Sequence, residues 1–171
     1  MIGPGELSVL ISYAHDPFIP AHMENALELT QSLRSRGIDA DIDQFHSESG
    51  QNWPLWMLKA IQKADFVLCL ASPLYKERFE ASGDASRGLG SRWEGAIITE
   101  ALYNESLAAD SKFIAVVPEG CDSQHIPTLL QPLGRTHYRL PDDDEDLYRR
   151  LTGQPRVLPL ALGDIVVLPH K

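Results

Sequence analysis

Two cysteines in 171 residues are too few for a disulfide framework. Cys69 sits inside the apolar run 66–70 and reads as a small core residue. A reducing, cytoplasmic setting fits that usage. Positive charge is also scarce: 15 Lys and Arg face 24 Asp and Glu, for a formal charge of −9, with no basic run. Nucleic-acid backbones and anionic membrane surfaces are therefore poor partners. No apolar stretch approaches the roughly 20 residues that cross a bilayer. No basic segment followed by an apolar one opens the chain, so no signal peptide is expected. The His-Glu-x-x-His, Cys-x-x-Cys and Gly-x-Ser-x-Gly patterns are missing, which counts against a zinc or serine hydrolase. Internal repeats and low-complexity tracts are missing as well.

What is present is a strand-then-helix rhythm. Apolar segments at 7–12, 38–43, 66–71, 113–117 and 137–140 read as strands. A helix over 21–36 carries Met23, Ala26, Leu27, Thr30 and Leu33 at helical spacing, and Gly37 closes it. Asn52 is placed to cap a second helix reaching about 64, with Pro54 tolerated in its first turn. Further helices are expected at 74–80, 91–104 and after the acidic cluster 142–146. Alternation of this kind gives an α/β fold, a five-stranded parallel sheet with helices on both faces. The strand order 2-1-3-4-5 is the flavodoxin-like arrangement. The domain is expected to span 1–152. Residues 153–171, punctuated by Pro155, Pro159 and Pro169, form an extended tail or linker.

Ligands of such sheets bind beyond the carboxyl ends of the strands. Ser12 and Tyr13 close the first strand there, and Tyr75 follows the third. Each tyrosine is a pocket wall or a half-buried rim residue. Trp53 ends the polar loop 44–52; ordinary packing is its default, with stacking on a base or packing on a neighbouring copy as the alternatives, while Trp56 is expected in the core. Ser91 and Glu94 form a capping box, so Glu94 has a structural role in closing a helix start. A carboxylate at that sheet edge, beside Trp93, also stabilises positive charge growing on a sugar ring. The two roles are compatible. Glu100 points about 120° away from Glu94 on the same helix and is expected in solvent. Gly88 and Gly90 make a weak phosphate-loop pattern without its third glycine. Asp41, Asp43 and His46 match no standard metal spacing and read as solvated acids of an edge strand.

Val9-Leu10-Ile11-Ser12-Tyr13 resembles the opening strand of the TIR superfamily. Asp43-Gln44 with Trp53-Pro54-Leu55-Trp56-Met57, then Ala64-Asp65-Phe66-Val67-Leu68 and Ser72-Pro73-Leu74-Tyr75, resemble its SEFIR branch. Gly88-Leu89-Gly90-Ser91-Arg92-Trp93-Glu94-Gly95 extends the likeness, which covers about 7–151. The resemblance implies a flavodoxin-like fold and one of two activities. Many prokaryotic TIR-type domains cleave NAD at the nicotinamide–ribose bond, often as parts of antiviral defence proteins. Others act as adaptors through homotypic contacts. Glu94 is the position that matches the family's catalytic glutamate best. In typical TIR enzymes that glutamate falls four residues after a tryptophan; here Glu94 follows Trp93 directly and Ile97 stands four further on.

The expectation is thus an NAD nucleosidase, with NAD as substrate and no cofactor or metal. Glu94 would be catalytic, with Ser12, Tyr13, Trp53, Tyr75 and Trp93 around the substrate. Self-association through 44–53 would complete the site, and a fused or separate sensor domain would control it. The alternative is a non-enzymatic adaptor that assembles through the same loop. A flavodoxin-like flavin or phosphate binder is disfavoured, because Pro17 and Pro20 remove N–H donors from the first loop.

Overall fold

A computed structural model of the chain describes residues 2–48, 50, 52–80, 96–98, 100, 112–131 and 136–171. Strands β1 (Ser8–Ser12), β2 (Asp39–Asp41), β3 (Phe66–Leu70), β4 (Phe113–Val117) and β5 (His137–Arg139) form one sheet in the order β2-β1-β3-β4-β5. Every pairing is parallel, as the alternating sequence requires. β3 and β4 are apolar throughout because both of their faces are covered.

The helices with bounds among the described residues are α1 (His22–Ser35), α2 (Trp53–Lys63), α3 (Pro73–Glu80) and α4 (Asp144–Thr152). Period-2 alternation splits the sheet between two cores. Val9, Ile11, Leu68, Leu70, Ile114 and Val116 face α1 and α4. Leu10, Val67, Cys69, Phe113, Ala115 and Val117 face the layer that holds α2, α3 and Ile98. Cys69 is a core residue, as its run implies. Gly37 ends α1 with φ +91°, its N–H bonded to the Arg34 carbonyl. Asn52 caps α2 by accepting from the Leu55 N–H at 3.3 Å.

Three details differ from the sequence reading. The buried stripe of α1 is His22, Ala26, Leu29, Thr30 and Leu33, while Met23 is exposed. His22 takes the core position in the first turn, which turns its neighbour outward by about 100°. β2 is shorter than 38–43, because Asp41 bonds the Ile42 N–H and a 3-10 turn begins at Asp43. Trp56 is half-buried against the second core rather than enclosed by it. The expected helix 91–104 falls mostly outside the described residues; 96–98 and 100 are helical, and Glu100 is exposed. From 155 to 171 the chain has neither helix nor strand and is exposed throughout.

Candidate functional site at the C-terminal edge of the sheet

β1 lies between β2 and β3, so chain connections leave it in opposite directions. A crevice at that switch point is the expected ligand position in an open α/β sheet. Ser12 ends β1 and is fully buried, yet it is polar. Its Oγ lies 2.8 Å from the hydroxyl of Tyr75, which rises from α3 just beyond β3. Tyr75 is buried too, its ring centroid 5.0 Å from that of Phe79. Ser72 accepts from the Tyr75 N–H at 3.1 Å and so sets the start of α3.

Tyr13 is buried, with its hydroxyl accepting from Gln44 Nε2 at 2.8 Å. The same nitrogen donates to the Met23 carbonyl at 3.0 Å, which ties the loop after β2 to the start of α1. His15 stacks on Tyr13, centroids 5.1 Å apart, and bonds Asp43 at 2.8 Å. His46 bonds Asp41 at 2.7 Å and tilts over Trp56 at 5.0 Å. Trp53 is exposed and meets Trp56 edge-on at 5.6 Å. The structure therefore brings Ser12 and Tyr75 into direct contact and sets Tyr13 beside them in sequence, while Trp53 joins a separate aromatic cluster on α2. Trp93, Glu94, Gly88, Gly90 and Ser91 lie outside the described residues, as do Ser49 and Gln51 of the loop 44–53.

Two residues near the site escaped the sequence reading. Asp16 is buried and accepts from the Phe18 N–H at 3.0 Å and the Leu74 N–H at 2.9 Å. It bolts the loop after β1 to the head of α3. The signal was available: Asp before Pro17 is an Asx-turn pattern, in which the carboxylate caps the N–H two residues on. His22 is buried, and neither ring nitrogen has a hydrogen-bond partner among the described residues. Burial pushes its imidazole below the ordinary 6.5, opposed by the negative Asp16 and reinforced by His15. It is therefore neutral at pH 7. Burial, with help from Asp16, also pushes the Cys121 thiol up to about 11, so it is no thiolate nucleophile. Among the described residues no group of three or more His, Cys, Asp and Glu is placed to hold a metal. Asp41 and Asp43 are instead the partners of two histidines.

The order of the sheet, the polar switch point and the motifs converge on a family whose model, a SEFIR domain, matches residues 7–151. The chain belongs to the SEFIR family. Its structure resembles the crystal structure of a prokaryotic SEFIR domain with a TM-score of 0.60, at 24% identity, over 92% of this chain and 99% of that one. It also resembles a metazoan TIR-STING receptor from C. gigas, with a TM-score of 0.56 at 17% identity over 89% of this chain. The same receptor in complex with 2',3'-cGAMP gives 0.61 at 20% identity over 94%. This SEFIR chain spans 42% and 43% of those receptor chains. Among curated proteins none matches it. No helix of the described residues is long and apolar enough to cross a membrane.

Proposed function

We propose that this SEFIR domain is an NAD glycohydrolase, switched on by self-assembly and serving as an effector of prokaryotic antiviral defence. The observation that carries the reading is the buried Ser12–Tyr75 hydroxyl pair at the β1/β3 switch point, in a family with a TIR-like fold. Two hydroxyls without bulk water around them make a polar floor in an otherwise apolar strand layer. Tyr13, held by Gln44, and the loop anchored by Asp16 would flank it. Trp53, in the neighbouring aromatic cluster on α2, has an exposed ring on which a base or nicotinamide would stack.

The scissile bond joins the ribose anomeric carbon to a cationic pyridinium nitrogen. As it breaks, the electron pair goes to that nitrogen and nicotinamide leaves neutral. No proton is needed at the leaving group, so one carboxylate suffices. The sugar left behind is oxocarbenium-like. Glu94, the position matching the family's glutamate, would stabilise that charge and hold the ribose hydroxyls, with Trp93 beside it. Water then adds to give ADP-ribose and a proton, or an internal nucleophile closes a cyclic product. The test is Glu94→Gln: it should abolish nicotinamide release while the circular dichroism spectrum and melting temperature stay unchanged. Turnover by a folded Glu94→Gln protein would reject this role.

A second reading, a non-enzymatic adaptor, is favoured by exposed apolar side chains around α2. Phe45, Trp53, Leu55 and Leu58 are large, apolar and exposed, on and beside α2. Head-to-tail contacts through these side chains and the loop 44–53 would build a filament. Loss of assembly on Trp53→Ala, with no NAD loss at any concentration of the wild type, would favour the adaptor over the enzyme.

A further inference from the structure

The most anomalous surface is the C-terminal tail. Between residues 157 and 168, eight large aliphatic side chains are 76–101% exposed. Asp164 is the single charged residue among them. Scattered exposed aliphatics are ordinary, but a contiguous apolar run is the mark of a binding segment. Pro155, Pro159 and Pro169 keep the run out of a helix. In an extended chain Leu158, Leu160 and Leu162 share one face.

At the N-terminal edge of the sheet a groove of about 670 Å³ is open. Ile2, Pro4, Leu7, Ile38 and Tyr148 give it apolar walls, and Gly153 and Gln154 form one rim. The chain's own tail starts at that rim but is led away from it. Gly153 reverses the chain at φ +66°, and Arg156 pairs with Asp146, about two turns back along α4. Residues 155–171 are exposed throughout, so the tail does not fill that groove.

We propose that the groove of one copy receives the tail of a second copy, with residues 157–162 as the inserted piece, and that the exchange is reciprocal. Each copy owns one tail and one groove, so a two-fold exchange closes with no site left over. It fits the area a stable pair needs. Specific interfaces bury about 1,200–2,000 Å² in total, and two exchanged extended segments of this length reach that order. The interface is independent of the NAD reading, since it lies on the opposite edge of the sheet and involves none of the proposed site residues.

The experiment is light scattering behind size exclusion on the full chain, from micromolar to hundreds of micromolar. Two variants accompany the wild type. Leu158→Asp with Leu160→Asp charges exposed tail positions that have no part in the fold. Ile2→Asp charges a half-exposed groove wall. The expected result is a wild-type dimer whose dissociation constant rises by at least about tenfold in each variant, with unchanged circular dichroism. A monomer throughout would overturn the proposal. So would a dimer that survives both variants, which would belong to another surface. Loss in the tail variant with retention in Ile2→Asp would equally overturn it, because the tail would then be seated elsewhere.

Discussion

α1 and α2 flank the same sheet and treat their apolar residues differently. α1 buries His22, Ala26, Leu29, Thr30 and Leu33 along one stripe and turns Glu24, Gln31 and Arg34 to solvent. Met23 is its one exposed large apolar side chain. α2 is apolar almost all round its first two turns, yet Ile61 is its one buried residue. Trp53, Leu55 and Leu58 remain exposed and Trp56 and Met57 half-buried. A helix that is apolar all round is normally enclosed. α1 is thus a folding element. α2 carries more apolar surface than one copy covers, and the excess is the expected seat of association.

That contrast breaks most visibly on the α1 side. Leu33 is fully buried in the first core. Leu33→Ala should destabilise the domain by about 2–5 kcal/mol, read from denaturant unfolding. Asp16→Ala leaves the part-buried N–H groups of Phe18 and Leu74 without their acceptor. It should cost about 1–3 kcal/mol and loosen the loop after β1, measurable as faster amide exchange at Phe18 and Leu74. His22 makes the α1 side sensitive to pH. Its folded-state pKa lies below 6.5, so the unfolded chain takes up the proton first and stability rises with pH. Stability should be full above about pH 7 and fall as pH drops below about 6.5. Unfolding midpoints at about pH 7.5 and about pH 5.5 should differ in the wild type and converge in His22→Leu.

On the α2 side the effects on folding shrink. Asn52→Ala removes the cap and should cost about 1 kcal/mol. Leu55→Gln with Leu58→Gln should change stability by no more than about 0.5 kcal/mol per site, while sedimentation shows weaker association. Equal losses of stability on both helices would erase the distinction between them.

The sheet was legible in the sequence because its central strands are continuous apolar runs and its helices begin and end on Asn52 and Gly37. Parallel order followed from the alternation alone. The edge was harder. β2 stops early because the Asp41 side chain competes for a backbone N–H, a local choice that hydrophobic period does not encode. Met23 and His22 exchanged roles because an imidazole scores as polar even when it fills a core position. Trp56 was expected inside on size, but burial depends on what crosses above it. At the site, residue types were legible and contacts were not. Ser12 and Tyr75 were each singled out at a strand end, but their 2.8 Å contact joins positions 63 residues apart in the chain. Asp16 had a readable turn signature, and its second bond, to Leu74, depends on the fold.

The most direct test is nicotinamide release per chain as protein concentration is raised, with light scattering to record assembly in the same samples. The rate per chain should climb as the wild type assembles and stay at zero in Glu94→Gln at equal mass. Assembled wild-type protein that leaves NAD intact would contradict the enzymatic account.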